Sequence, residues 1–372
     1  MLSAHRLLAM ARKEWIQLRR DRRSMILAFA LPILLLLFFG YAINWDLTDI
    51  PLAVRDEDRT QRSRALVEAF EESGYFLVAE WLERRGDAEA RLARGAVTGV
   101  LVIPAGFARD LAAGRPASVQ LLLDGGDANT VTIALNYADA IAARFSRDVL
   151  LEGRRVEPPV TPETRVWYNQ TLESRHMIVP GLIAVIMSII AAMLTALTIA
   201  REWERGTMEQ LAATPVHRLE VVFGKLLPYV TIGFFDVAAA TLAGVLVFGV
   251  PFNGSVILLA GMTLLFLLGA LGLGIFISAA VRSQVLAMQV AMVATYLPAL
   301  LLSGFLYDVA GMPRVLQAVS YIIPARYFIA VTRGVFLKGV GLETLWIQGV
   351  FMVAFAAVGL GLATLAFRKR LA

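Results

Sequence analysis

Long apolar runs separated by short polar connections fill the second half of the chain, and one more such run lies near its start. The early run is "MILAFALPILLLLFFGYAI", residues 25–43; the later ones fall near 177–199, 226–249, 256–280, 285–306 and 345–367. Each approaches the roughly 20 residues that a bilayer-spanning helix needs, and Gly or Pro inside such helices is tolerated. The pattern predicts six transmembrane helices, the first over 25–45 and the other five within 176–372. The first run is longer than the apolar core of a secretory signal, and no clean A-x-A site follows it, so it is expected to be a retained span. Ahead of it, Leu7, Ala11, Trp15 and Leu18 recur at helical spacing while Arg6, Arg12, Lys13, Arg19, Arg20, Arg22 and Arg23 crowd the other faces. This predicts an N-terminal interfacial helix, amphipathic and cytoplasmic, over 1–24. A plain basic flank is the blander alternative.

Residues 46–175 differ in kind. Strand-like segments ("IPLAVRD", "YFLVAEW", "VTGVLVIP", "SVQLLLDG") alternate with helix-like ones ("RSRALVEAFEES", "DAEARLARG" and a long run from Ala128). Alternation of this kind predicts a small α/β domain inserted between transmembrane helices 1 and 2. The proline-rich "RRVEPPVTPET", 154–164, reads as a stiff linker. Between the last two spans, 305–344 is apolar but broken by Pro324 into pieces too short to cross. Either a re-entrant pair of half-helices or an amphipathic surface loop would account for it.

Composition sharpens this picture. Of 372 residues 58% are hydrophobic and only 17% charged, against roughly 25% charged in soluble domains, and the mean hydropathy is +0.66. One soluble globule is excluded. Cys is absent and the three His (His5, His176, His217) are scattered, which argues against a His/Cys metal centre. The net charge of +5 is distributed by topology. With the N-terminus inside, segments 1–24, 201–225, 281–284 and 368–372 all fall inside and hold 15 basic against 6 acidic residues, while 46–175 carries net −5 and falls outside. That is the positive-inside pattern. It predicts a multi-pass protein with both termini cytoplasmic and an extracytoplasmic α/β domain, and it removes the main support for nucleic-acid binding.

The connection "REWERGTMEQLAATPVHRLEVVFGK", 201–225, is unusually structured for a loop. Gly206 can break the helical path, Thr207 with Gln210 fits a capping box, and Glu209 sits where a helix dipole favours an acid. Thr214 and Pro215 suit the start of the next helix. The stretch reads as a short transverse helix between two elbows, entered at Glu202, Glu204 and Arg205 and left at Glu220 and Lys225. A partner-contact element and a solvated loop with ordinary caps are equally compatible with this local physics. "GK" at 224–225 invites a phosphate-loop reading, but Leu219 and Leu226 stand where that motif needs Gly and Ser or Thr.

Here the chain resembles permease subunits of the ABC-2 type, in particular the drug and multidrug exporter branch with a large extracytoplasmic domain. The family pattern R-E-x-E-x-G-T-x-E-Q-L-x-x-T-P, then E, then G-K-x-x-P-Y is matched by Arg201, Glu202, Glu204, Gly206, Thr207, Glu209, Gln210, Leu211, Thr214, Pro215, Glu220, Gly224, Lys225, Pro228 and Tyr229. A second stretch, W-Y-N-P before V-P-G, is matched by "VWYNQ" at 166–170 and "VPG" at 179–181, with Gln170 in place of the usual Pro. A third is matched by Ser303, Gly304, Met312, Pro313, Pro324, Arg326, Tyr327, Arg333, Lys338 and Gly339. The resemblance covers nearly the whole chain and is weakest in the outer domain.

It implies a non-catalytic subunit of an ATP-driven exporter in the bacterial cytoplasmic (inner) membrane. A cytoplasmic ABC ATPase dimer would bind ATP and Mg; this chain would hold no cofactor. ATPase coupling would fall to Glu202, Glu204, Gly206, Thr207, Glu209, Pro215, Glu220 and Lys225. A second permease subunit, identical or a close paralogue, would complete the path; a periplasmic adaptor protein and membrane lipids are further expected partners. Amphiphilic drugs or lipids are the expected cargo. Asp236, an acid inside an apolar run, is a candidate for the path or its gating, with Pro324, Arg326 and Arg333. "GALGLG" (269–274) and "GLGLA" (359–363) could pack between subunits or within one. The competing reading is a non-transporting membrane receptor or envelope scaffold with a ligand-binding outer domain. An enzyme is disfavoured: Asp124 and Asp127 flank a Gly-Gly turn, His176 precedes a span, and no nucleophile and base pair up.

Overall fold

A computed structural model describes residues 3–43, 48–84, 86–151, 167–169, 173–214 and 216–367. The linker 154–164, Gln170, Pro215 and the basic 368–370 lie outside the described residues. The chain divides into two compact units, residues 45–164 and the remainder.

The membrane unit begins with α1 (Ala4–Arg20), followed by α2 (Arg22–Met25), a π-helical turn (Ile26–Ala30) and α3 (Leu31–Ala42). The last three are contiguous and together rise about 30 Å at 1.5 Å per residue. The apolar helix Ala28–Ala42 lies within this stretch, and the π turn overlaps its start.

The inserted unit alternates as its sequence predicts: β1 (Ile50–Asp56), α4 (Gln61–Glu71), β2 (Phe76–Trp81), α5 (Asp87–Ala93), β3 (Gly99–Ile103), α6 (Phe107–Ala112), β4 (Gln120–Leu123) and α7 (Ala128–Leu151). The sheet order is β2-β1-β3-β4. β1 pairs in parallel with β2 and β3, and β4 closes the edge antiparallel to β3. Period-2 alternation sends Ile50, Leu52 and Val54 to one face, where Leu66, Val67 and Phe70 of α4 and Ala134, Ala138 and Ile141 of α7 bury them. Ala53 and Val100 face the other way, onto Ala88 of α5.

Asp58 pins this domain's β3–α6 turn. Its carboxylate accepts from the N–H groups of Gly106 (2.8 Å) and Ala108 (3.0 Å) and from the Thr60 hydroxyl (2.7 Å). Burial alone would raise its pKa, but these bonds outweigh burial and hold the carboxyl below its ordinary value. Asp58→Ala is expected to destabilise the domain by about 1–2 kcal/mol at pH 7. Because the folded-state value is depressed, the stabilisation is present above the unfolded pKa and is lost as pH falls through the folded one. Thermal unfolding of wild type and variant should therefore converge in acid.

The second half runs α8 (Ser174–Glu204), α9 (Met208–Ala213), α10 (Arg218–Leu246), α11 (Val256–Val281), α12 (Gln284–Leu301), a 3-10 turn (Val309–Gly311), α13 (Arg314–Ser320), α14 (Pro324–Arg333) continued by a π turn (Gly334–Lys338), and α15 (Leu342–Ala366). Among the described residues five helices, α8, α10, α11, α12 and α15, are long and apolar enough to cross a membrane; α13 with α14 and its π extension, bent by 77°, would make a sixth. The protein is thus a polytopic helical membrane protein of five to six spans with a helix/strand region between the early and later ones.

α8 is the central helix, buried almost continuously from Ile178 to Glu202. It is apolar all round, as a helix surrounded by others must be. Its Ala192, Ala196 and Ala200 let α11 and α12 approach closely at Ile277, Ala287 and Ala291. α11 also lies close to α15: a Cβ on Gly272 would sit 2.6 Å from the Gly359 carbonyl carbon, and one on Gly359 would sit 2.9 Å from Gly269 Cα. The two glycine stretches thus pack against each other within one chain.

Candidate functional site

The elbows of 201–225 gather at one end of the membrane unit, and α1 lies across them. At its exit, Glu220 occupies the third position of α10 and reaches back to the His217 N–H (2.8 Å), closing a capping box. Its other oxygen accepts from the Ser3 N–H (2.6 Å) and lies 3.4 Å from Arg6 Nε. One turn on, Gly224 gives α1 room: a Cβ there would meet Met10 Cβ at 2.6 Å and the Leu7 carbonyl at 3.1 Å. Lys225, 1% exposed, then donates to Glu14 of α1 (2.7 Å) and lies 3.0 Å from Glu202 of α8. Lys13 donates to the same Glu202 oxygen at 2.7 Å. Arg201 meets Asp21 at 2.9 Å.

The result is a chain of alternating charge, Lys13–Glu202–Lys225–Glu14, that ties three helices together, with Lys13 at its exposed end. Neither Glu14 nor Glu202 exceeds 3% exposure. Buried charges are tolerated only when paired, so Glu202, Lys225 and Glu14 stand or fall as a set.

At the entry elbow, Glu204 is exposed and accepts from the backbone N–H of Gln284 (2.7 Å) and from its side-chain amide, linking α8 to the start of α12. Gly206 has φ +68°, the left-handed conformation that a helix stop favours in glycine. Its N–H donates to Trp203 O and that of Thr207 to Glu202 O, the two bonds of a Schellman stop. The Thr207 hydroxyl turns back to the Glu202 carbonyl at 3.4 Å. α9 follows, with Glu209 and Gln210 exposed.

The expected coupling residues therefore divide. Glu202, Glu220 and Lys225 are inside, holding α1 and the span ends. Gly206 and Thr207 shape the elbow, Glu204 braces α12, and Glu209 is exposed. Sequence reasoning missed Glu14, Asp21, Lys13 and Gln284 as their counterparts. A signal existed: Glu14 and Asp21 are the only acids in residues 1–24, and each pairs with a basic residue of the 201–225 stretch.

The expected path residues do not converge. Asp236 is buried in α10. Pro324 starts α14 and borders a small cavity of about 50 Å³ with Ser188 and Pro298. Arg326 lies 4.2 Å over the Tyr321 ring and donates to Ser320, and Tyr327 donates to the Tyr321 carbonyl at 2.8 Å; together they fix the bend between α13 and α14. Arg333 donates to the carbonyls of Met177 and Gly304 (both 3.2 Å) and Phe305 (3.5 Å), tying α14 to the start of α8 and to the turn after α12. Elsewhere, an apolar cavity of about 400 Å³ opens along α8 between α3 and α12, lined by Leu35, Phe39, Ile186, Met193, Tyr296 and Leu300 among others. None of the four expected path residues lines it. Among the described residues, no three His, Cys, Asp or Glu side chains come together as metal ligands.

Comparison with known proteins agrees with this architecture. Residues 22–365 match the ABC-2 family transporter proteins. The chain is 37% identical over 373 residues to the probable multidrug ABC transporter permease YbhS of Escherichia coli K12, covering 100% of this chain and 99% of that one. It is 30% identical to the probable multidrug ABC transporter permease YbhR of the same organism, covering 92% of each. To that organism's inner membrane transport permease YhhJ it is 28% identical, over 86% of this chain and 85% of the relative. With the buried ties at the 201–225 elbows and near full-length similarity to these permeases, the chain belongs to the ABC-2 transporter family, as a permease-type membrane subunit.

Proposed function

We propose that this chain is the membrane half of an ATP-driven exporter of amphiphilic drugs or lipids, coupled through α9 to separate cytoplasmic ABC ATPases. The observation that carries the reading is the exposed pair Glu209 and Gln210 on α9, held between α8 and α10 while α1 is locked to both by ion pairs. A push on α9 cannot be absorbed by a loose loop, since its elbows are braced by the Schellman stop at Gly206 and by Glu220. It passes to α8, the helix that contacts most of the others. The orientation follows from charge: the α1 end is cytoplasmic and the inserted α/β unit extracytoplasmic.

The apolar cavity beside α8 gives an amphiphile a place within the bilayer plane, open along α3 and α12. A second permease subunit, identical or closely related, would complete this route. The broken α13–α14 pair would dip in from the outer side as a re-entrant element near the exit. The named relatives, two of them described as probable multidrug permeases, support an export role. ATP and Mg belong to the partner; this chain supplies the path.

Charge reversal at the exposed contact tests this. Glu209→Arg is expected to leave expression and thermal unfolding unchanged, while co-purification of the ATPase and ATP-dependent transport in vesicles fall at least about tenfold, equivalent to 1.4 kcal/mol of lost contact. Undiminished ATPase association in Glu209→Arg and in a second variant, Gln210→Lys, would count against α9 as the contact.

A further inference from the structure

Five buried side-chain oxygens find no hydrogen-bond partner among the described residues: Glu202 Oε2, Asp236 Oδ2, Thr241 Oγ1, Thr263 Oγ1 and Gln348 Oε1. The first belongs to the ion network beside α1. The others lie on α10, α11 and α15, and three of them lie near one level. α10 and α11 run antiparallel, and a Cβ on Gly233 would sit 2.7 Å from the Leu267 side chain. Three residues forward on α10 and four back on α11 keep to the same facing surfaces, which brings Asp236 opposite Thr263. α15 runs parallel to α11, since Met262 packs on Gly349 and Gly272 on Gly359. That register puts Gln348 two residues, about 3 Å along the axis, below the level of Thr263. Gln348 also shares a face of α15 with Phe355, two turns on, whose ring packs on Phe266 of α11.

Asp236 is 2% exposed and Thr263 0%. Unpaired buried polar atoms are uncommon in folded proteins and call for an explanation; an unpaired carboxylate among spans is more costly still. A carboxylate oxygen and an amide oxygen can only accept, and a hydroxyl retains accepting lone pairs whatever its proton does. With Asp236 ionised, the group has an excess of hard oxygen acceptors and a single negative charge. A donor-rich or positively charged occupant balances it. Burial rules out a cargo-sized molecule, and one carboxylate matches one positive charge, leaving a divalent ion undercompensated. Oxygen donors of this type suit hard cations.

We propose that Asp236, Thr263 and Gln348 form a binding site for one monovalent cation of alkali-metal size inside the membrane unit. Asp236 neutralises its charge; Thr263 and Gln348 replace part of its hydration shell. The site lies apart from the 201–225 elbows and from the apolar cavity beside α8, and it belongs to this chain without the ATPase.

The test uses the full-length chain in detergent, in N-methylglucamine chloride at constant ionic strength. Na⁺ and, separately, K⁺ replace the bulky cation while thermal unfolding is followed, and retention of radiolabelled Na⁺ is measured. The expected result is a saturable rise in Tm with at least one ion. Asp236→Asn abolishes it, and Thr263→Val and Gln348→Leu each move the midpoint at least about tenfold upward, the equivalent of 1.4 kcal/mol. A Tm that ignores both ions overturns the proposal, as does an unchanged midpoint in Asp236→Asn. If Asp236→Asn does not fold, unchanged midpoints in both other variants overturn it. Failure here leaves the α9 contact untouched, because that is read from ATPase association.

Discussion

Lys225→Met is expected to destabilise the chain by about 3–5 kcal/mol, the loss typical when one member of a buried ion pair is removed. The ammonium is enclosed and touches two carboxylates, Glu14 at 2.7 Å and Glu202 at 3.0 Å. Among the described residues its loss leaves Glu14 with no cation and Glu202 with Lys13 alone. The expected phenotype is release of α1 from α8 and α10, read as a lower Tm and as faster proteolysis near Trp15. Lys225→Arg should not restore stability, because a planar guanidinium does not fit a pocket shaped for an ammonium beside Gly224. The compensating variant is the decisive control. Lys225→Met with Glu14→Gln removes the orphaned charge along with its partner and should recover a substantial part of the loss, giving a coupling energy of order 1–3 kcal/mol in a double-mutant cycle. Strict additivity of the two substitutions would mean that the pair does not hold α1 in place.

Gly272→Val carries the second large effect. Its Cβ alone would lie 2.6 Å from the Gly359 carbonyl carbon and 2.8 Å from the oxygen. The obstacle is backbone, which cannot rotate aside, so α11 and α15 must separate. Overpacking of this kind costs about 1–3 kcal/mol or more, and here it opens the most extensive helix pair of the membrane unit. Gly261→Ala, in the same helix, meets nothing within 4 Å and should be neutral or stabilising by less than about 1 kcal/mol. Thermal unfolding of the two variants should move in opposite directions or differ by several degrees. Equal melting would show that the α11–α15 contact is not as close as the glycines imply.

Much of the architecture was legible in the sequence. Apolar run length located α8, α10, α11, α12 and α15, because lipid imposes a minimum length on any crossing helix. Short strand-like segments alternating with helix-like ones located β1 to β4. The break at Pro324 was visible because proline lacks the N–H and clashes with the preceding turn. The π turn at Ile26–Ala30 was not, since "ILAFA" differs in no local respect from the α-helical residues after it.

The candidate site was legible only as a list. Spacing marked Glu202, Glu220 and Lys225 as a set without revealing that they point inward. Their partners, Glu14 and Lys13, lie about 190 to 210 positions earlier, and no local pattern connects residues so far apart. Arg333 illustrates the same limit. The sequence marked it as a candidate for the path or its gating, whereas it binds three backbone carbonyls, those of Met177, Gly304 and Phe305.

The sequence by itself determined the solvent: 58% hydrophobic residues in span-length blocks can only be membrane helices, and their flanking charges set an expected orientation. It also determined which local elements form, since helix and strand periods depend on neighbours a few positions away. The tertiary structure alone decided which charges are buried and paired, which glycines touch another backbone, and that Asp236 and Thr263 are buried with an oxygen left unpaired among the described residues. Those facts depend on the packing of helices distant in the chain, where burial turns an ordinary Lys or Asp into a group that must find its counter-charge.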